Sequence, residues 1–184
     1  MMRWLLWLIG GTLLGGIVHL ATVLALPKAA TQDAYARIAA ISPVNAVVPL
    51  PPPSPDGAIL PFMDPAFASA VCRYDLSKGP VKLSVPVSPA YTSVSFYTRS
   101  DVAYYAINDR AAGRRVIELD LMTTKQRELV PEDEEVTAAD RLIVESPSDT
   151  GLIVLRALAP EPGMTMAASR SLAAARCEPQ TGSG

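Results

Sequence analysis

Across its 184 residues the chain carries one histidine, His19, and two cysteines, Cys72 and Cys177. His19 lies inside a long apolar run, so the rest of the chain cannot assemble a Ser-His-Asp or Cys-His nucleophilic centre. A zinc site of ordinary composition is excluded for the same reason. No Cys-x-x-Cys or Cys/His spacing points to a metal or redox centre. In an oxidising compartment Cys72 and Cys177 could instead close one disulfide loop of about a hundred residues, worth ~4–5 kcal/mol in the chain-entropy model. Two unrelated buried thiols are the plainer alternative.

Carboxylates are then the remaining acid–base candidates. Asp75, Asp101, Asp109, Glu118 and Asp120 fall on or beside expected strands, but nothing in their spacing singles out a pair. The acidic run at 132–135 lacks the alternating ligands and central glycine of a calcium loop and reads as a solvated turn. Arg110, Arg114 and Arg115 cluster at an expected hairpin tip. Guanidinium groups there can meet an anionic partner or simply keep a sheet edge soluble. Tyr91 and Tyr97 alternate onto one side of their strand with Ser93 and Ser95, a candidate binding face, although half-buried sheet tyrosines are ordinary. The formal net charge of −2 gives no support for nucleic-acid binding. The residues assign no catalytic group, no cofactor and no metal.

Two kinds of element must carry these side chains. Residues 4–26 are almost wholly apolar, and a helix rising about 1.5 Å per residue over that length spans a hydrocarbon core of roughly 30 Å. A cleaved signal peptide is the competing reading, with Arg3 as its charge and residues 23–25 as its exit. Its apolar centre would run only about 7–15 residues, so an uncleaved transmembrane anchor is expected. Trp4 and Trp7 suit the membrane interface, while Arg3 at one end and Lys28 and Arg37 at the other leave the orientation undecided. Gly11, Gly15 and His19 fall four apart on one helical stripe. Small residues let backbones approach, and an imidazole can hydrogen-bond across such a contact. The stripe predicts helix–helix packing, with the same chain or another.

Residues 28–42 read as a short helix ended by Pro43. The proline-rich run 49–55 reads as a polyproline II stalk of roughly 20 Å. From about residue 60 the pattern turns to period-two alternation, at 71–76, 81–85, 91–98, 102–107 and 115–121. The stretches 141–145 and 151–157 read as a second hairpin. Short strands with regular turn signals predict a mainly β domain, an antiparallel sandwich or open barrel. Residues 164–176 carry Met164, Ala168, Leu172 and Ala175 on one helical face, a C-terminal helix. The expected division is an anchor at 1–27, helix and stalk at 28–59, a β-rich domain at 60–178 and a flexible tail at 179–184.

Residues 70–109, AVCRYDLSKGPVKLSVPVSPAYTSVSFYTRSDVAYYAIND, and residues 146–160, SPSDTGLIVLRALAP, resemble the bacterial envelope family of unknown function DUF1254. The shared pattern is a Tyr-Asp strand, a Gly-Pro turn, a strand closing on Pro86 and an aromatic strand pair. The resemblance implies a membrane-associated or periplasmic protein of Gram-negative bacteria with a β-rich domain. It also implies a usual companion domain, DUF1214, which a separate polypeptide would supply here. It offers no catalytic residues to transfer. The resulting expectation is a single-pass inner-membrane protein with a periplasmic β-domain, acting as a non-enzymatic subunit of an envelope complex. Its partners would be the membrane and another envelope protein or a second copy, with no nucleic acid. The rivals are an envelope enzyme using two carboxylates about 5–10 Å apart in a concave pocket, and a module binding a small apolar or anionic ligand between the sheet and the last helix.

Overall fold

The computed structural model describes residues 2–29, 33–54, 59–60, 63–113, 115–129 and 142–180. The chain divides into two units, Met1–Asp33 and Ala34–Gly184.

The first unit is one helix, α1 (Met2–Ala29). Its segment Arg3–Leu26 is long and apolar enough to cross a membrane, a property that signal sequences share. The polar side chains within it are partly satisfied by the helix itself. Thr12 and Thr22 donate their hydroxyls to the carbonyls of Leu8 and Val18, one turn back. Such back-bonding removes a donor that hydrocarbon could not otherwise accommodate.

The second unit opens with a short helix, α2 (Ala34–Ala39), and is built on two sheets. The first has five strands in the order β1 (Val47–Pro49), β2 (Phe67–Asp75), β8 (Thr150–Leu158), β4 (Thr92–Thr98) and β5 (Ala103–Asn108), all antiparallel. The second has four, in the order β7 (Leu142–Ser146), β6 (Val116–Thr123), β3 (Val81–Pro86) and β9 (Arg176–Pro179). Its pairs are antiparallel except β6 with β7, which is parallel. The fold is mainly β, with two separate sheets and no closed barrel.

Period-two patterning dictates which side chains enter the core. On β3, Val81, Leu83 and Val85 are fully buried, while Lys82 and Ser84 between them are half-exposed. Leu119 and Leu121 of β6, Ile153 and Leu155 of β8, and Val94 and Phe96 of β4 join the same core. Each such side chain contributes about 1.5–3 kcal/mol by leaving water. The C-terminal helix α5 (Thr165–Ala173) buries Ala168 and Leu172 against that core. It is shorter than the 164–176 the sequence predicts: it ends at Ala173, and Arg176 opens strand β9.

The outer face of the first sheet is covered in part. Ile38 of α2 and Leu50 pack with Val71 and Leu152 into a second, smaller cluster. Helix α2 and the start of the proline-rich run therefore belong to the β unit rather than to a free stalk. Val47–Pro49 pairs with β2, and the Leu50 N–H donates to the Ser69 carbonyl. At the other end Gln180 N–H donates to the Pro80 carbonyl, so order extends past the expected start of the tail.

Two expected hairpins are replaced by passages between sheets. Strands β7 and β8 do not pair, because β8 is already flanked along its length by β2 and β4. The chain crosses at Pro147, and β7 takes an edge of the other sheet. Likewise β5 and β6 lie in different sheets, joined through one helical turn, α3 (Asp109–Ala112). Asn108 caps that turn, and Gly113 ends it in the left-handed conformation at φ 63°. A non-glycine side chain would resist that conformation. Between β6 and β7 lies α4 (Thr124–Arg127), opened by a reciprocal capping box of Thr123 and Gln126. The acidic run at 132–135 lies outside the described residues.

Candidate functional site

Cys72 on β2 and Cys177 on β9 form a disulfide, with Cα atoms 6.5 Å apart and 105 residues between them in sequence. Both face the core, so the bridge ties the first sheet to the last strand of the second. It lies among apolar side chains and is a staple, not an exposed reactive pair.

Beside it runs a buried hydroxyl relay that joins the two sheets. The Tyr104 hydroxyl donates to the Tyr74 hydroxyl at 3.2 Å. Tyr74 Oη in turn lies 3.0 Å from Ser146 Oγ and 3.2 Å from the Tyr97 carbonyl. Ser146 donates onward to the Ser148 carbonyl at 2.6 Å. Burial pushes the Tyr104 phenol well above its ordinary range, which keeps it a proton donor to Tyr74. A shift in register between β4 and β5 positions it. Phe96 faces Tyr105 and Tyr97 faces Ala103, leaving Tyr104 without a partner opposite. Strict alternation would send Tyr104 and Tyr105 to opposite faces; the bulge lets both rings pack near Phe96, at 6.1 and 5.8 Å between centroids. The relay is a fixed structural element, since every hydroxyl in it is committed.

The outer face of the first sheet carries a stack of a different kind. The Tyr35 ring lies 4.1 Å from the Arg99 guanidinium and 5.9 Å from that of Arg73. Both distances fall within cation–π range.

The predicted site residues are scattered by the fold. Arg110 is exposed on α3 and Arg115 is exposed just before β6, while Arg114 lies outside the described residues. Because that segment passes between sheets, the arginines do not mark a hairpin tip. Tyr97 lies on the outward side of β4, with Tyr91 just before the strand, but Tyr97 packs into the cluster around Ile38 and Leu50. Gly11, Gly15 and His19 lie on α1, where a Cβ added at either glycine would have no described atom within 4 Å beyond the helix's own backbone. Of the carboxylates, Asp75 accepts from the Ser77 N–H at 2.9 Å, and the Ser77 contacts hold it below the usual carboxylate range. Asp109 accepts from Thr92 N–H at 3.4 Å, and Asp101 sits in the β4–β5 loop with φ 60°. Glu118 and Asp120 share the outward face of β6, opposite Ser84 and Lys82.

Among the described residues, three depressions bear on the candidate sites. One beneath Arg156 is walled by Leu50, Met63, Phe67 and Val154 and contains one carboxylate, Asp64. A second runs from Pro51 and Pro52 to Leu172 of α5 and contains none. A third, more open, holds Asp75 beside Lys78. Among the described residues, none of these three brings two carboxylates together, the arrangement glycan hydrolysis would use. Among the described residues no group of three His, Cys, Asp or Glu side chains is placed to hold a metal ion. The second depression lies between the first sheet and α5, the place the sequence analysis allowed for a small ligand; the first escaped it, because its walls join segments distant along the chain. The one legible sign was an arginine at 156 on the otherwise apolar outward side of β8.

Comparison with known proteins places this architecture. The model of a protein family described as a protein of unknown function, DUF1254, matches residues 44–179, from just before β1 to the end of β9. The solved structure of the VPA0106 protein from Vibrio parahaemolyticus superposes with a TM-score of 0.59 at 15% identity, covering 81% of this chain and 35% of that one. An uncharacterised protein from Burkholderia cenocepacia gives 0.45 at 14% identity over 63% of this chain and 32% of its own. The chain thus spans about a third of the length of each. At these identities the likeness concerns the fold. No curated protein matches the chain.

Proposed function

The chain belongs to the DUF1254 family of unknown function, and on that premise we propose that it is a single-pass inner-membrane protein displaying its β unit in the periplasm. There it serves as a non-catalytic subunit of an envelope complex. The observation that carries this reading is the Cys72–Cys177 disulfide on a chain that begins with a membrane-length apolar helix. Disulfides persist in oxidising compartments such as the periplasm and are rare in the cytosol. The partner in this reading carries the companion DUF1214 domain or is a second copy of the chain. Helix packing through Gly11, Gly15 and His19 would hold the complex in the bilayer.

The experiment is extraction of the full chain in mild detergent after crosslinking in the membrane. A discrete species heavier than the monomer, containing either a DUF1214 protein or a second copy, supports the reading. A strictly monomeric chain overturns it.

A further inference from the structure

Two of the depressions adjoin across shared lining residues, and we infer that together they form the seat of a single-chain anionic amphiphile, one alkyl chain with a carboxylate or phosphate head. They share Leu50, Met63, Phe67 and Ser69, so the two lie side by side along the same wall. Their volumes, about 120 and 150 Å³, correspond to the space of about four and five waters at ~30 Å³ each. That room is slim. It lies below the ~300–1,000 Å³ of ordinary ligand pockets and suits a slender alkyl segment better than a fused ring system. The walls suit such a chain: Leu50, Leu60, Met63 and Phe67 at one end, Pro52 and Leu172 towards the other.

Charge fixes the direction. Arg156 lies on the outward face of β8, directly across the ladder from Ser69 on one side and Ser93 on the other. It is exposed, and both Arg156 and Ser69 line the first depression. Among the described residues its guanidinium has no hydrogen bond or ion pair. A carboxylate or phosphate there gains a forked, charge-assisted contact, with the Ser69 and Ser93 hydroxyls as neighbouring donors. The one anion in the same depression, Asp64, is turned to its own loop, accepting from the Ala66 N–H at 2.9 Å. It disfavours a head group near Met63 and so leaves the Arg156 end as the place for one. An uncharged chain would gain nothing from Arg156.

A membrane offers this chemistry from two sources, free fatty acid and lysophospholipid. The inference stands apart from the subunit reading, since it concerns only the β unit and a small ligand. The test uses the full chain in amphipol with three photoactivatable probes: palmitic acid bearing a chain diazirine, its methyl ester, and a lysophosphatidylglycerol with the same chain. Crosslinked peptides are mapped by mass spectrometry. Labelling by either anionic probe at peptides containing Leu50, Met63 or Leu172, with the ester labelling about tenfold less, supports the seat, and the stronger anionic probe identifies the source. Arg156→Gln should reduce anionic labelling by about the same factor, and Ser169→Phe, at the far end on α5, should block it without touching the charge. Labelling confined to residues 3–26, or equal for acid and ester and unmoved by Arg156→Gln, overturns the inference.

Discussion

Tyr74 faces Gly151 across the β2–β8 ladder, and a Cβ added at Gly151 would collide with the Tyr74 ring and with the Tyr97 carbonyl. The glycine is therefore the floor on which the tyrosine lies, and the tyrosine hydroxyl reaches Ser146 of the opposite sheet because nothing lifts its ring. The pairing explains why a central strand tolerates a residue that ordinarily weakens strands.

Gly151→Ala should destabilise the β unit by about 3 kcal/mol or more, as overpacking in a closed core does. Ser146→Ala leaves room but strands the Tyr74 hydroxyl, and should cost about 1–3 kcal/mol. Urea unfolding of the full chain in detergent, followed by the near-UV signal of the tyrosines, measures both. A Gly151→Ala protein as stable as the wild type would remove the close-approach argument.

Replacing both cysteines by serine should cost about 2–5 kcal/mol, since the bridge closes a loop spanning most of the β unit. The loss should be largest for β9, which is held by only four ladder partners on β3. Hydrogen exchange would show it as amides of 176–179 opening before those of β2. Uniform protection in the serine variant contradicts that role.

Alkaline stability should follow Tyr104. Its pKa is raised above the ordinary 10.0 by burial, so between those values the folded state keeps a proton that the unfolded state has lost. Stability is then fully present below pH 10.0 and falls as pH rises above it. Tyr104→Phe should show a shallower decline above that pH, at the expense of one hydrogen bond, about 1 kcal/mol at neutral pH. Equal slopes for both proteins would argue against a buried, neutral phenol.

Within α1, Gly15→Leu should reduce crosslinked species of the full chain, because a leucine holds two backbones apart. Gly10→Leu, off the Gly11–Gly15–His19 stripe, serves as its control. If both variants crosslink as the wild type does, the stripe is lipid-facing.

Period-two patterning made β3, β4 and β6 legible, because each buries alternate residues such as Val81, Leu83 and Val85. Helical spacing of three to four residues likewise made the Ala168–Leu172 face of α5 legible. Alternation could not say which sheet a strand joins. The turn at Pro147 looks like a hairpin turn in sequence, yet β8 has both edges occupied and β7 must pair elsewhere. The proline-rich run misled for a related reason: Val47–Pro49 has too few residues to alternate visibly but still donates an edge strand. The Tyr74–Gly151 floor and the Leu50–Phe67–Arg156 groove were illegible because their members meet only once the sheet is assembled.

The central claim, an anchored chain oxidised outside the cytoplasm, is tested most directly by the intact mass of the protein extracted from membranes under thiol-blocking conditions. The account predicts a mass that retains residues 3–26 and is two hydrogens lighter than the reduced chain, with no blocking reagent attached. A soluble product beginning near Leu26, or a chain carrying the reagent on both Cys72 and Cys177, would contradict it.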